Sequence, residues 1–133
     1  MLADRAMSQA KTWSVKDRLE SVICALRGVR WMLQTQHNAW IHAAATLTVG
    51  VAALALGIGA TDWALIVIAV VAVWSAEALN TALECLGDAT SPELNTLVGQ
   101  AKDVAAGAVL ISSSGAVLVG ILVFAPYLSA LGG

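Results

Sequence analysis

Residues 63–86 read WALIVIAVVAVWSAEALNTALECL. The stretch is long enough to cross a membrane as a helix, because about 20 mostly apolar residues span the hydrocarbon core. It nevertheless carries two acidic residues, Glu77 and Glu84. A charge near the bilayer centre is costly, so ionisable residues inside a span usually mark a functional site. This stretch therefore decides the fold class and indicates where a functional site would lie.

Apolar stretches of similar length lie on both sides of it. Residues 31–61 contain no Asp, Glu, Lys or Arg, and no charged residue follows Asp103. We predict three membrane-spanning helices over residues 41–60, 63–86 and 104–124.

Turn-forming residues separate the predicted spans. The GIGATD sequence at 57–62 is predicted to join the first two helices, and residues 88–100 to form the second loop. Pro92 favours a break in that loop, and Pro126 is predicted to help end the third helix.

The whole-chain composition agrees with a membrane protein. The 133 residues are 59% hydrophobic and 12% charged, whereas soluble domains are about 45–50% apolar and roughly 25% charged. This excludes a disordered chain, a basic domain that binds nucleic acid and an ordinary soluble enzyme. The length predicts a single domain over residues 1–133, and we expect a small all-α membrane protein.

The basic residues are unevenly distributed. Six of the seven lie before residue 31, and Lys102 lies between the second predicted loop and the third predicted span. Because Lys and Arg concentrate in cytoplasmic segments, we predict a multi-pass protein of the cell membrane, inner or plasma, with a cytoplasmic N-terminus.

A different pattern precedes the spans, over residues 14–35. Apolar residues recur there at helical spacing, and charged residues fill much of the remaining circumference. The pattern predicts an amphipathic helix on the membrane surface, capped by Thr12 or Ser14.

Polar side chains form a stripe along the second span. At 100° per residue, Glu77, Asn80, Thr81, Glu84 and Asp88 fall on one side of the helix. Carboxylate and amide oxygens suit Mg²⁺, which often binds phosphates as further ligands. The alternative is that these groups only bond across helices and fix an oligomer.

Lys102 and Asp103 lie at the cytoplasmic start of the third span. A lysine there can bind a phosphate as a point charge, so with the acidic stripe it suggests a nucleotide-phosphate site. Three helices of this size are too few to enclose a polar site. We therefore expect an oligomer in which the stripe faces a neighbouring subunit.

The histidines and cysteines form no pattern typical of a metal site. His37 and His42 are five residues apart and do not share a helix face, and Cys24 and Cys85 fit neither a metal site nor a disulfide framework. The cysteines are interpreted as small apolar residues.

Three segments together resemble the small prokaryotic diacylglycerol kinase family, which includes undecaprenol kinase. They are EALNTALECLGD from Glu77 to Asp88, Ser91-Pro92-Glu93, and AKDVAAGAVL from Ala101 to Leu110. The resemblance covers roughly residues 14–126 and includes the layout of a surface helix followed by three spans. Asn38 and His42 look closer to the undecaprenol kinase branch.

The resemblance implies an activity and a set of roles. The family phosphorylates a lipid hydroxyl, of undecaprenol or diacylglycerol, with ATP and Mg²⁺ at the cytoplasmic face, as a homotrimeric helical bundle with sites between subunits. Glu77 would be the general base toward the lipid hydroxyl, and Glu84 would hold Mg²⁺. Asn80 would position substrate or phosphate. The nucleotide, its phosphates or their supporting groups would be contacted by Asp88, Lys102 and Asp103.

This chain departs from the family at two positions. Gln36 stands where the family usually places a metal-binding glutamate, so it would offer a neutral oxygen to a metal. Cys24 stands where a family aromatic lies near the nucleotide base. A small oligomeric cation or proton transporter and a non-catalytic relative are the alternative functions.

Overall fold

The computed structural model describes residues 14–90 and 95–131, which form four α-helices. Their bounds are α1 Val15–Thr35, α2 His37–Leu56, α3 Ala60–Thr90 and α4 Thr96–Leu131. The chain separates into two compact units, with the boundary between Trp31 and Met32. Most of α1 belongs to the first unit, and α2, α3 and α4 form the second.

Helix α1 confirms the amphipathic helix expected over residues 14–35. Ser14 caps its start, since the backbone N–H of Lys16 donates to Ser14 Oγ at 3.2 Å. Thr12, the other candidate cap, lies outside the described residues. Most apolar side chains of this helix are exposed, namely Val15, Leu19, Val22, Ile23, Leu26 and Val29, whereas Met32 near its end is buried.

Helix α2 ends at a left-handed glycine. Gly57 has φ 61° and ψ 42°, a conformation that costs glycine little because it has no Cβ. The N–H of Ile58 donates to the Ala53 carbonyl, and that of Gly57 donates to the Leu54 carbonyl, both at 3.3 Å. This pattern reverses the chain direction and leaves only residues 57–59 between α2 and α3. The observed turn is therefore shorter than the predicted one over residues 57–62.

An apolar cluster fills this end of the three-helix unit. Its buried members are Ala53, Ile58, Ile66 and Val123. Tyr127 of α4 packs against this cluster. Its hydroxyl donates to Asp62 Oδ2 at 2.6 Å and accepts a hydrogen bond from the Gly59 N–H at 3.0 Å.

Helices α3 and α4 form the principal helix pair, and α2 packs against both less extensively. Near the far end of this pair Gly87 faces α4. A Cβ placed on Gly87 would lie 2.9 Å from Val98 Cγ1 and 3.5 Å from Lys102 Cδ. The absence of a side chain therefore lets the two helices approach closely.

The helices α2, α3 and α4 are each long and apolar enough to cross a membrane. Helices α3 and α4 extend into the predicted 88–100 loop, because hydropathy marks only the lipid-buried part of a helix. Ser91, Pro92 and Glu93 lie outside the described residues. The expectation that Pro126 helps end the third helix is wrong, since α4 continues to Leu131. A proline removes one backbone donor, and membrane helices tolerate that loss.

Candidate functional site

Part of the polar stripe of α3 is buried inside the three-helix unit, whereas Glu84 is half-buried and Asp88 is exposed. The exposed fraction is 1% for Glu77, 6% for Asn80 and 4% for Thr81. The expectation that three helices cannot enclose a polar site is therefore wrong for this part of the stripe. Small residues such as Ala39 on α2 and Ala105 on α4 are buried in the same unit, and small residues allow helices to pack closely.

Glu77 faces a histidine of α2. The Nε2 atom of His42 lies 3.7 Å from Glu77 Oε2, and the two side chains are 14% and 1% exposed. Within the described residues, neither carboxylate oxygen nor His42 Nε2 has a hydrogen-bond partner. An unpaired buried carboxylate is costly, and the imidazole of His42 is the ionisable group that lies beside it.

A tryptophan packs against the same imidazole. The rings of His42 and Trp74 meet edge to face, with centroids 6.5 Å apart. Trp74 Nε1 donates to Thr46 Oγ1 at 3.1 Å, which joins α3 to α2. This contact explains a tryptophan deep in a span, where an interfacial role is unavailable.

Further along α3, Asn80 and Glu84 are joined. Asn80 Nδ2 donates to Glu84 Oε1 at 2.9 Å. Asn80 Oδ1 and Thr81 Oγ1 are buried without a hydrogen-bond partner in the described part of the chain. Asn80 Oδ1 is therefore a buried acceptor that no described group uses.

A recess of about 310 Å³ opens beside this pair. Its polar lining comes from all three helices, namely Asn38, His42, Asn80, Glu84 and Ser113. The recess is open to the outside of the chain and mixes amide, imidazole, carboxylate and hydroxyl groups. It therefore fits the polar end of a ligand.

An apolar groove of about 440 Å³ continues from the recess. Its walls are mainly aliphatic, for example Val49, Val70, Val73 and Val117. The recess and the groove share Ile41, His42 and Ser113. Together they form one amphipathic cleft, polar at one end and apolar at the other. Glu77 lines neither part.

The lysine and aspartates of the predicted phosphate site lie at the end of α3 and in α4. Lys102 Nζ is 2.8 Å from Asp88 Oδ1, and the two side chains are 36% and 73% exposed. Asp103 is exposed. Lys102 is thus held over the end of α3 by an ion pair that solvent and a competing anion can reach.

Within the described residues, acidic side chains supply only part of the ligand set that Mg²⁺ needs. No group of three His, Cys, Asp or Glu side chains close enough to hold a metal occurs in residues 14–90 and 95–131. Mg²⁺ commonly uses one or two carboxylates and completes its shell with water and phosphates. Glu84, with the unpaired Asn80 Oδ1 beside it, fits that incomplete protein shell. Gln36, partly buried at the N-cap of α2, does not line the recess.

Three polar residues that line the recess, two from α2 and one from α4, have no role predicted from the sequence. The family resemblance involves Asn38 and His42, the sequence gives His42 no metal-binding partner, and it does not single out Ser113. The sequence signal that identifies His42 is an ionisable side chain within an apolar run that contains no Asp, Glu, Lys or Arg.

Comparison with known proteins gives matches along most of the chain. The sequence profile of a family described as prokaryotic diacylglycerol kinase matches residues 23–124. An undecaprenol kinase of Bacillus subtilis (strain 168) is 32% identical over 109 residues, which are 82% of this chain and 89% of the relative. A diacylglycerol kinase of Synechocystis sp. is 38% identical over 120 residues, which are 88% of this chain and 69% of the relative.

Proposed function

The chain belongs to the prokaryotic diacylglycerol kinase family, and from that membership we propose that it is a lipid kinase. It transfers the γ-phosphoryl group of ATP to the hydroxyl of a membrane lipid alcohol. Its two relatives are named for undecaprenol and for diacylglycerol. Both alcohols present a primary hydroxyl at the membrane interface, so both are candidate substrates.

The amphipathic cleft is the observation that carries this proposal. A membrane lipid alcohol has an apolar tail and one polar end, and the cleft has an aliphatic groove that continues into a polar recess. Burial of the tail in the groove would bring the hydroxyl to the shared boundary. There it would lie beside His42 and Ser113, next to the Asn80–Glu84 pair.

Three residues of α3 carry the roles nearest the reaction. Glu77 is the general base toward the lipid hydroxyl, and Asn80 positions the substrate or the transferred phosphate. Glu84, with Asn80 Oδ1, is the site for Mg²⁺. When bound, Mg²⁺ neutralises phosphate charge, which is the main requirement of phosphoryl transfer. The buried carboxyl and the unpaired amide oxygen support these roles.

The nucleotide site lies toward the Asp88–Lys102 pair. Lys102 supplies a point charge for the phosphates, and Asp88 holds its ammonium group at 2.8 Å until ATP arrives. Asp103, next to Lys102, contributes to the supporting groups around the nucleotide.

The membrane arrangement completes the proposal. The three helices cross the cell membrane, inner or plasma, with the N-terminus and the 88–103 segment on the cytoplasmic side, where ATP is present. Helix α1 lies on the membrane surface, which would cover its exposed apolar side chains. The active assembly is a homotrimer with sites between its subunits.

The test is a phosphoryl-transfer assay with the purified protein in mixed micelles. Radiolabelled ATP and Mg²⁺ are combined with undecaprenol or with diacylglycerol, and the labelled lipid is separated and counted. We expect Mg²⁺-dependent label in the lipid monophosphate from at least one alcohol, and none when Mg²⁺ is chelated.

Two results would contradict the proposal. One is an absence of labelled lipid with both alcohols from a folded protein. The other is ion flux into protein-containing liposomes that requires no nucleotide, which would favour the transporter alternative. A fatty acid offered in place of the alcohol is the matched control, since it has a tail but no alcohol hydroxyl.

A further inference from the structure

The proposed base does not line the cleft of this chain. Glu77 is 1% exposed and lines neither the recess nor the groove. A lipid alcohol in the cleft would therefore need another group to carry its proton to Glu77.

His42 lies between the cleft and Glu77. Among the described residues it is the one titratable side chain that lines both the recess and the groove. Its Nε2 atom faces Glu77 Oε2 at 3.7 Å. One imidazole thus touches the space for the substrate and the buried carboxylate together.

We propose that His42 is a catalytic residue that carries the proton of the lipid hydroxyl to Glu77. This inference rests on the proposed lipid kinase function. The substrate hydroxyl gives its proton to one ring nitrogen while Nε2 gives its proton to Glu77 Oε2. The alcohol oxygen forms its bond to the γ-phosphorus as the bond from that phosphorus to the ADP oxygen breaks. The proton later returns from Glu77 through His42 to water in the recess.

The chemistry of imidazole and the packing around it support this role. Imidazole has two nitrogens that can accept and donate at opposite edges of the ring. The 3.7 Å separation is long for a hydrogen bond, and catalytic contacts of this kind often tighten only when substrate binds. Trp74, fixed by its bond to Thr46, packs against the ring and limits its orientations.

The experiment compares kcat for phosphoryl transfer in wild type, H42Q, H42A, E77Q and the H42Q/E77Q double variant. Glutamine keeps a polar side chain but cannot pass a proton, so H42Q and H42A should each lower kcat by about 100-fold or more. The KM for ATP should stay within about 3-fold. The double variant should be no slower than E77Q, and free imidazole should restore part of the H42A rate.

His37 provides the matched control. It lies on the same helix five residues earlier and is exposed, so H37Q should keep the wild-type rate. Thermal unfolding in detergent checks that each variant is folded, and the milder H42Q decides the result if H42A unfolds.

The inference is overturned if H42Q turns over within about 3-fold of wild type, since a residue that only positions Glu77 could be replaced by glutamine. It is also overturned if the losses of H42Q and E77Q multiply in the double variant, which would show that they act independently. A folded wild-type protein that phosphorylates no lipid would instead refute the proposed function itself.

Discussion

At the scale of single residues, the most informative feature is the buried carboxyl group of Glu77, which helix packing does not require. Glu77 is enclosed by helices, and the described residues give its oxygens no hydrogen bond. Leaving a buried polar group unpaired costs about 1–3 kcal/mol. Such a cost is common at sites where a group must be available for a reaction. Glu84 differs from Glu77, because one of its carboxylate oxygens accepts a hydrogen bond from Asn80.

Gln36 permits a prediction about metal use. The family resemblance places a metal-binding glutamate at this position, and a neutral amide binds Mg²⁺ more weakly than a carboxylate. We predict that Gln36→Glu lowers the Mg²⁺ concentration for half-maximal phosphoryl transfer by about 10-fold.

Gln34 offers the control for that change. It lies two residues earlier and is exposed, so Gln34→Glu adds the same charge elsewhere and should leave the Mg²⁺ titration as in wild type. An identical titration curve for Gln36→Glu would show that position 36 has no part in metal binding.

At the scale of helices, the close approach of α3 and α4 depends on Gly87. We predict that Gly87→Ala destabilises the protein by about 1–3 kcal/mol, because the new Cβ would lie 2.9 Å from Val98 Cγ1 and a valine in a helix has few alternative rotamers. Denaturant or thermal unfolding in detergent measures the change. The shift should also displace Lys102, whose stem lies 3.5 Å from the same point, and raise the KM for ATP.

Gly99→Ala is the control for helix propensity, since nothing lies within 4 Å of its added Cβ. Alanine is favoured over glycine in a helix by up to about 1 kcal/mol, so this variant should be as stable as wild type or more so. Equal stability of the two alanine variants would contradict the close contact at Gly87.

The apolar groove gives a second prediction at this scale. Gly120 of α4 lines the groove, and open space surrounds the position of its missing Cβ. Gly120→Leu should fill part of the groove and raise the KM for the lipid by about 10-fold, with the KM for ATP unchanged, because only the tail is displaced.

Gly115→Leu serves as its partner variant, because Gly115 also has open space around it but does not line the groove. Its lipid KM should match wild type. If both leucine variants affect the lipid KM equally, the groove is not the site of the tail.

The sequence anticipates some elements well and others poorly. Charge-free apolar runs and helical periodicity locate α1 and the three long helices, because both signals lie within single segments. The extension of α4 through Pro126 and the meeting of Gly87 with Val98 depend on contacts between segments, which periodicity does not encode. The same reason hides His42, since its importance comes from Glu77, thirty-five residues away in the chain.

At the scale of the whole molecule, the proposed function requires one membrane orientation and a complete site. The cleft opens to the outside of a single chain, so a neighbouring subunit has room to contribute to it. We predict that the protein in detergent is a homotrimer. Light scattering corrected for bound detergent should give three times the 13.7 kDa protomer mass, about 41 kDa. A protein that is fully active at the mass of one protomer would contradict sites between subunits.

The most direct measurement is the kcat of the Glu77→Gln variant for transfer of labelled phosphate from ATP to the lipid alcohol. Glutamine preserves the shape of the side chain but cannot accept a proton, so kcat should fall by at least about 100-fold. Glu20→Gln makes the same change at a glutamate that is exposed on α1, and it should keep the wild-type rate. Turnover of Glu77→Gln within a few-fold of wild type would contradict a role for the buried carboxylate of α3 in the reaction.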